Sequence, residues 1–287
     1  MAAAAVELPL SMLLVFGAAK LAGELSERAR QPAIVGEILA GMVLGPAVLG
    51  WVRPNELLHA LAELGVMFLL FNVGLHTRAS ELKSVGPAAT IIAISGVVVP
   101  LAAGWGILTL ASHTQIEAFF LGAAMVATSV GITAQVLQTG GFLHLQASRI
   151  ILAAAVIDDV LGLLVLAIVS SLAKGSVNWT EIALTAFLAI AFVVFVVQFG
   201  ARAAEKIIPR VRESMRAAES DFAIAMTILF ALAVLSVYAG VAAIIGAFLA
   251  GMMLSSTTGE RARLFTQGAT ELLVPFFLVS IGLNLNL

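Results

Sequence analysis

The sequence predicts an all-α integral membrane protein of about ten transmembrane helices, with an inverted repeat inside it. Three observations carry this. The 287-residue chain is 61% hydrophobic and only 11% charged, with a mean hydropathy of +1.09; soluble domains carry about 25% charged residues, so lipid must be much of this chain's solvent. Its apolar residues fall into ten runs of about membrane-spanning length. Two of those runs recur late in the chain. Composition also excludes several function classes. With no cysteine there is no disulfide framework, thiolate metal site or thiol nucleophile. His59, His76, His113 and His144 lack metal-ligand spacing. No basic cluster suits a nucleic-acid groove, and no cofactor motif is present.

The ten expected spans are 8–25, 32–50, 56–76, 86–111, 116–138, 150–171, 180–201, 219–238, 240–256 and 268–285. The first lacks a positive n-region and reads as a span, not a removed signal. Pro32 and Pro87 suit the first turns of spans two and four, where a missing N–H is harmless. Spans eight and nine are separated only by Tyr238-Ala239-Gly240, so that turn must be tight. Loops after odd-numbered spans hold Arg28, Arg30, Arg78, Lys83, Arg149, Arg202, Lys206, Arg210, Arg212, Arg216, Arg261 and Arg263. Loops after even-numbered spans hold Arg53 and Lys174. Positive loops stay cytoplasmic, which puts the N-terminus outside.

Span two reads Ile34-Val35-Gly36-Glu37-Ile38-Leu39-Ala40-Gly41-Met42, and span nine reads Ile244-Ile245-Gly246-Ala247-Phe248-Leu249-Ala250-Gly251-Met252. Span three carries Glu63-Leu64, Phe68, Leu70 and Gly74-Leu75; span ten carries Glu271-Leu272, Phe276, Leu278 and Gly282-Leu283. The two copies lie seven spans apart, an odd number, so they cross the membrane in opposite directions. Secondary transporters are built this way, with the site where repeats meet. If spans one to three recur as eight to ten, spans four to six should recur after Leu287, giving thirteen helices of which this chain would lack the last three.

Span six holds Asp158 and Asp159 in a run, Ile150 to Ser171, with no other ionisable side chain. Only one other aspartate, Asp221, occurs in the chain. Charging a carboxylate at bilayer depth costs at least about 2.5 kcal/mol, so such acids face a water-filled cavity or an ion path. Span five carries Thr128-Ser129-Val130-Gly131-Ile132-Thr133 at matching depth. Hydroxyls and a glycine there can interrupt the helix and free carbonyls for a cation, which is tolerated only where the backbone lines a cavity. The candidate ion and proton site is therefore Asp159, Asp158, Thr128, Ser129 and Thr133. Adjacent helical residues point about 100° apart, so the two acids should take different roles, and their titrations should be coupled. Na⁺, a hard cation, suits these oxygen ligands; Asp159 is the first candidate to hold it, with Asp158 a second ligand or an ion-pair partner. Glu37 and Glu63 read as structural, Lys20 as snorkelling to the interface, and residues 202–218 as a solvated cytoplasmic connector touching anionic headgroups.

Gln31-Pro32-Ala33-Ile34-Val35-Gly36-Glu37-Ile38-Leu39-Ala40-Gly41 resembles the second-span signature of bacterial cation:proton antiporters of the Nap and Kef type. The stretches 128–134 and 156–162 are similar to that family's broken helix and aspartate helix. The resemblance implies a thirteen-helix fold in which a core moves against a dimerising scaffold. Residues 1–80 and 219–287 would be scaffold, 81–175 the core half with the acid pair, and 176–218 the linker helix and basic connector. It further implies that Asp159 carries ion and proton and that Asp158 pairs with a lysine absent from this chain, which has none after Lys206. The double aspartate resembles the Na⁺/H⁺ exchanging members, and two acids allow two protons per Na⁺, hence electrogenic exchange. The expected protein is thus no enzyme. It is a multi-pass cell-membrane antiporter of Na⁺ (or Li⁺ or K⁺) and H⁺ with no cofactor, embedded in lipid, homodimeric through its scaffold and without a nucleic-acid partner.

Other readings fit less well. A K⁺/H⁺ efflux system would typically show Gln-Asp at the pair. A Na⁺-coupled symporter of related fold would need an organic-anion pocket. An intramembrane aspartyl protease would need acids converging from separate helices, and no GxGD stretch exists. A gated channel or ion sensor would use the same residues without turnover.

Overall fold

The computed structural model describes residues 2–173, 179–214 and 220–285. Lys174 and Arg216, both counted in the charge bias, lie outside these residues, as does part of the expected connector. The described residues form helices α1 (Ala2–Arg28), α2 (Ala33–Leu44), α3 (Glu56–Leu75), α4 (Ala79–Leu110), α5 (Gln115–Val126), α6 (Val130–Thr139) and α7 (Gln146–Ala173). After these come α8 (Trp179–Phe195), a π-helical turn (Val196–Gly200), α9 (Ala201–Ser214), α10 (Ser220–Tyr238), α11 (Ala243–Leu254) and α12 (Glu260–Leu283). Among the described residues, eight helical segments are long and apolar enough to cross a membrane, counting α5 with α6 and α8 with α9; α2 and α11 are shorter apolar helices.

Several boundaries differ from expectation for local reasons. Span two ends at Leu44 instead of 50, because Pro46 keeps Gly45 extended (φ −73°, ψ 176°). The chain then folds back, with the Val52 N–H donating to the Leu44 carbonyl at 3.0 Å. Pro87 does not open span four. The helix starts earlier, at Ala79, and Pro87 lies inside it, costing the single bond to the Lys83 carbonyl. Span seven runs on through the π turn into α9, reaching Glu213.

The chain divides into two compact units. One comprises residues up to Asn72 with those from Arg263 onward; the other runs from Val73 to Ala262. In the first, Val15, Ala19, Leu44, Leu58, Phe276 and Val279 form a buried cluster. In the second, α4 lies along both α5 and α7.

Contacts inside each unit repeat residue by residue. A Cβ on Gly282 would strike the carbonyl oxygen of Ile38, and a Cβ on Gly74 would strike that of Phe248. Ile38 and Phe248 are equivalent in the two copies, as are Gly74 and Gly282. The same holds for Gly36 against the Ala22 carbonyl and Gly246 against that of Leu232. The α1–α2 turn bonds Ala29 to Leu25, Arg30 to Glu27 and Gln31 to Ser26, and the α10–α11 turn bonds Ala239 to Leu235, Gly240 to Val237 and Val241 to Ser236. Arg30, at φ 60°, stands in the left-handed place that Gly240 fills at φ 81°. The repeat read from sequence is therefore a repeat of packing, and it exchanges partners: α2 receives α12, and α3 receives α11.

These close approaches give a stability test. Gly282→Val puts branched carbons against a backbone carbonyl that cannot move aside, an overpacking cost of about 1–3 kcal/mol or more. Melting of the purified protein in detergent should fall markedly for this variant. Gly17→Ala, with open space around it, should leave melting unchanged or slightly raised.

Candidate functional site

The expected break in span five is present. Ala127, Thr128 and Ser129 separate α5 from α6, with Ala127 (φ −64°, ψ 107°) and Ser129 (φ −81°, ψ 106°) extended. The Thr128 hydroxyl donates to the Val126 carbonyl at 3.1 Å. A helix end leaves its last carbonyls, and a helix start its first N–H groups, without helical partners. The break thus places the negative end of α5 and the positive end of α6 together. Gly122, Ala123, Val126, Val130, Gly131 and Ala134 are buried, which anchors both half-helices on their small-residue faces.

Asp158 and Asp159 stand on α7 beside this break. Two cavities meet there. One, of about 390 Å³, is walled by Phe120, Ala123, Ala127, Gly162 and Leu166, with Ala242 and Ile244 contributing from the start of α11. The other, of about 230 Å³, is walled by Ile92, Gly96, Thr133, Ile151 and Ala155. Asp158, Asp159 and Thr128 border both. The two acids differ in setting all the same: Asp158 Oδ1 is buried with no hydrogen-bond partner among the described residues. Gly96 faces it, since a Cβ there would lie 3.7 Å from that oxygen.

The structure therefore brings together Asp158, Asp159 and Thr128, adds Thr133 on one side, and leaves Ser129 bordering neither cavity. In the sequence Gly96 reads only as a small residue suited to close helix packing, and sequence reasoning missed the Oε1 atoms of Gln135 and Gln138 on α6, buried without hydrogen-bond partners among the described residues. Two amides three residues apart in an apolar half-helix were the available signal. At the start of α7, Arg149 pairs with Glu81 of α4 at 3.2 Å, pinning together two of the helices that wall the smaller cavity. Among the described residues, no cluster of three or more His, Asp or Glu could hold a metal ion. The remaining intramembrane acids are paired. Glu37 is buried and meets Lys20 at 3.6 Å, so that lysine bonds within the protein instead of only reaching for the interface; Glu63 meets His59 at 3.3 Å.

A sequence profile described as "Sodium/hydrogen exchanger, transmembrane" matches residues 11–287. This chain belongs to the sodium/hydrogen exchanger family. Among its curated relatives, the Na⁺/H⁺-K⁺ antiporter GerN of Bacillus cereus is 36% identical over 276 residues, covering 95% of this chain and 70% of GerN. The probable Na⁺/H⁺ antiporter GerT of the same organism is 34% identical, covering 96% and 73%. The high-affinity Na⁺/H⁺ antiporter NhaS3 of Synechocystis sp. is 32% identical, covering 95% and 67%. These relatives are transporters, and the resemblance drawn from the motifs agrees with this family. The apolar helices make the exchanger a multi-pass membrane protein.

Gly96 provides a direct test of the cavity. Gly96→Ala adds a methyl at ordinary van der Waals distance from Asp158 and should preserve whatever cation binding the chain shows. Gly96→Leu should fill the space before the carboxylate and remove it. Na⁺-dependent thermal stabilisation in detergent compares the two without requiring turnover.

Proposed function

We propose that this chain is a secondary active antiporter that exchanges Na⁺, or another monovalent cation, for H⁺ by alternating access, with Asp159 as the carrier. The observation that supports it best is the position of the acid pair: the same two carboxylates and Thr128 border cavities on both sides of the helix break. A carboxylate in that position holds either a proton or a cation, and the two compete for it. Competition at one group, offered alternately to the two cavities, is sufficient for obligatory exchange. The α5 carbonyls and the Thr128 and Thr133 oxygens complete a hard-cation ligand set. Ser129, which borders neither cavity, contributes through its backbone.

Asp158, with one oxygen buried beside Gly96, is the second acid. Two carboxylates releasing two protons against one Na⁺ make the exchange electrogenic. Residues 1–80 and 219–287 serve as the dimerising scaffold, 81–175 as the moving half, and 176–218 as the linker. The protein sits in the cell membrane with its N-terminus outside and its basic loops in the cytoplasm. It needs no cofactor and catalyses no covalent step. K⁺ is the alternative cargo, favoured by the name of GerN; being larger than Na⁺, it would need the same oxygens at longer distances.

The first test is Na⁺-induced collapse of a pH gradient in everted vesicles carrying the chain. The chain should collapse the gradient and Asp159→Asn should not. Equal responses from both would remove Asp159 from the mechanism. Replacing Na⁺ by K⁺ in the same assay reads the cargo. For stoichiometry, an imposed membrane potential should change the exchange rate in liposomes, and a rate indifferent to voltage would refute the two-proton step.

A further inference from the structure

Helix α9 leaves the span as a direct continuation of α8. From Trp179 to Glu213 the helix runs 35 residues, about 52 Å at 1.5 Å per residue, well beyond a hydrocarbon core of about 30 Å. Its last third therefore lies at or past the bilayer surface. The π turn at Val196–Gly200 sits where the character changes from mostly apolar to amphipathic.

The rotation of α9 about its axis is fixed by its contacts. Ala204 and Ile208 are buried. Arg212 is ion-paired with Asp221 and donates through Nη2 to the Thr257 carbonyl at 3.0 Å. Glu205 accepts from the Ser256 hydroxyl at 3.0 Å. With this face held, 100° per residue sets the remainder. Ala203, Ile207 and Val211 form one flank, and Ile207 is 55% exposed and Val211 37% exposed. Arg202, Lys206 and Arg210 form an adjacent stripe at four-residue spacing, exposed and with no salt-bridge partner among the described residues. Protein, apolar flank and cationic stripe thus follow one another around the helix.

We propose that α9 is a membrane-surface helix that binds anionic phospholipid headgroups through Arg202, Lys206 and Arg210, with Ile207 and Val211 entering the headgroup–acyl boundary. A merely solvated connector would leave those two aliphatic side chains in water on a helix that cannot turn them inward. The cations supply the matching charge for the lipid. Each Lys or Arg close to an anionic surface strengthens attraction about fivefold, and the flank adds the apolar insertion typical of such helices. The inference is independent of ion exchange.

The chain has no cysteine, so Ala203→Cys gives one labelling point on the apolar flank. The labelled 287-residue chain is placed in lipid nanodiscs containing phosphatidylcholine and phosphatidylglycerol, one of them carrying a nitroxide high on its acyl chain. At equal mole fraction the nitroxide phosphatidylglycerol should quench the label about twofold or more over nitroxide phosphatidylcholine. That preference should vanish in R202Q/K206Q/R210Q and persist in R202K/R210K, which keeps the charge and controls for folding. Ile207→Asp should weaken quenching by both lipids. Equal quenching by the two lipids, no quenching by either, or a preference that survives the triple glutamine change would each overturn the proposal. So would its abolition by millimolar glycerol phosphate, which would mean that the stripe reads soluble phosphate instead of a bilayer.

Discussion

Everything in this protein depends on one constraint: at bilayer depth, a polar group must find a partner inside the protein or an aqueous space beside it. Most of the chain obeys by being helical. Among the described residues one departure is the turn at Ala127–Ser129, and there it is matched by a second exception, the pair Asp158 and Asp159. Each would be costly alone in lipid. Together they carry the site proposed above: an opened helix supplies carbonyl and N–H dipoles, and the acids supply charge that a mobile cation or proton would neutralise. The small residues that flank the break are buried against their neighbours, and Gly96 across from Asp158 leaves space before that carboxylate.

Around the site the architecture is built by duplicated packing. The glycine faces of α2 and α12, and of α11 and α3, meet with backbone against backbone. In lipid, where no hydrophobic effect separates helix from solvent, such close approach is a main source of association. One asymmetry between the copies is ionic. The first copy carries Lys20 and Glu37 as an ion pair, whereas the equivalent places of the second copy are Phe230 and Ala247. A shared backbone plan has thus been kept while the side chains diverged.

Much of this was legible in the sequence, for identifiable reasons. The break was readable because Thr128, Ser129, Gly131 and Thr133 are poor company for an uninterrupted apolar helix. The acids were readable because nothing else in their span is ionisable. The repeat was readable because close approach demands glycine, and glycine leaves a trace. What escaped were features that hydropathy does not register. The apolar run 32–50 continues through Val48 and Leu49, so the turn forced by Gly45-Pro46 was hidden inside it. Ser129 has the same chemistry as Thr128, and only the backbone path through the break separates the one that reaches the cavities from the one that does not. Ala242 and Ile244 border the larger cavity from a segment expected to be scaffold, and two aliphatic residues carry no sign of that.

The exchange of partners between the two copies also has a consequence in time. Ile38 can meet Gly282 only after about 240 further residues have been made, which takes on the order of 10–50 seconds at about 5–20 residues per second. Gly74 waits for about 175 residues before α11 is made. During that interval α2 and α3 are in the bilayer with their glycine faces uncovered, neither copy able to complete itself. Assembly is thus a late event, and the early helices must be able to persist in lipid, or in the care of the insertion machinery, until their counterparts arrive.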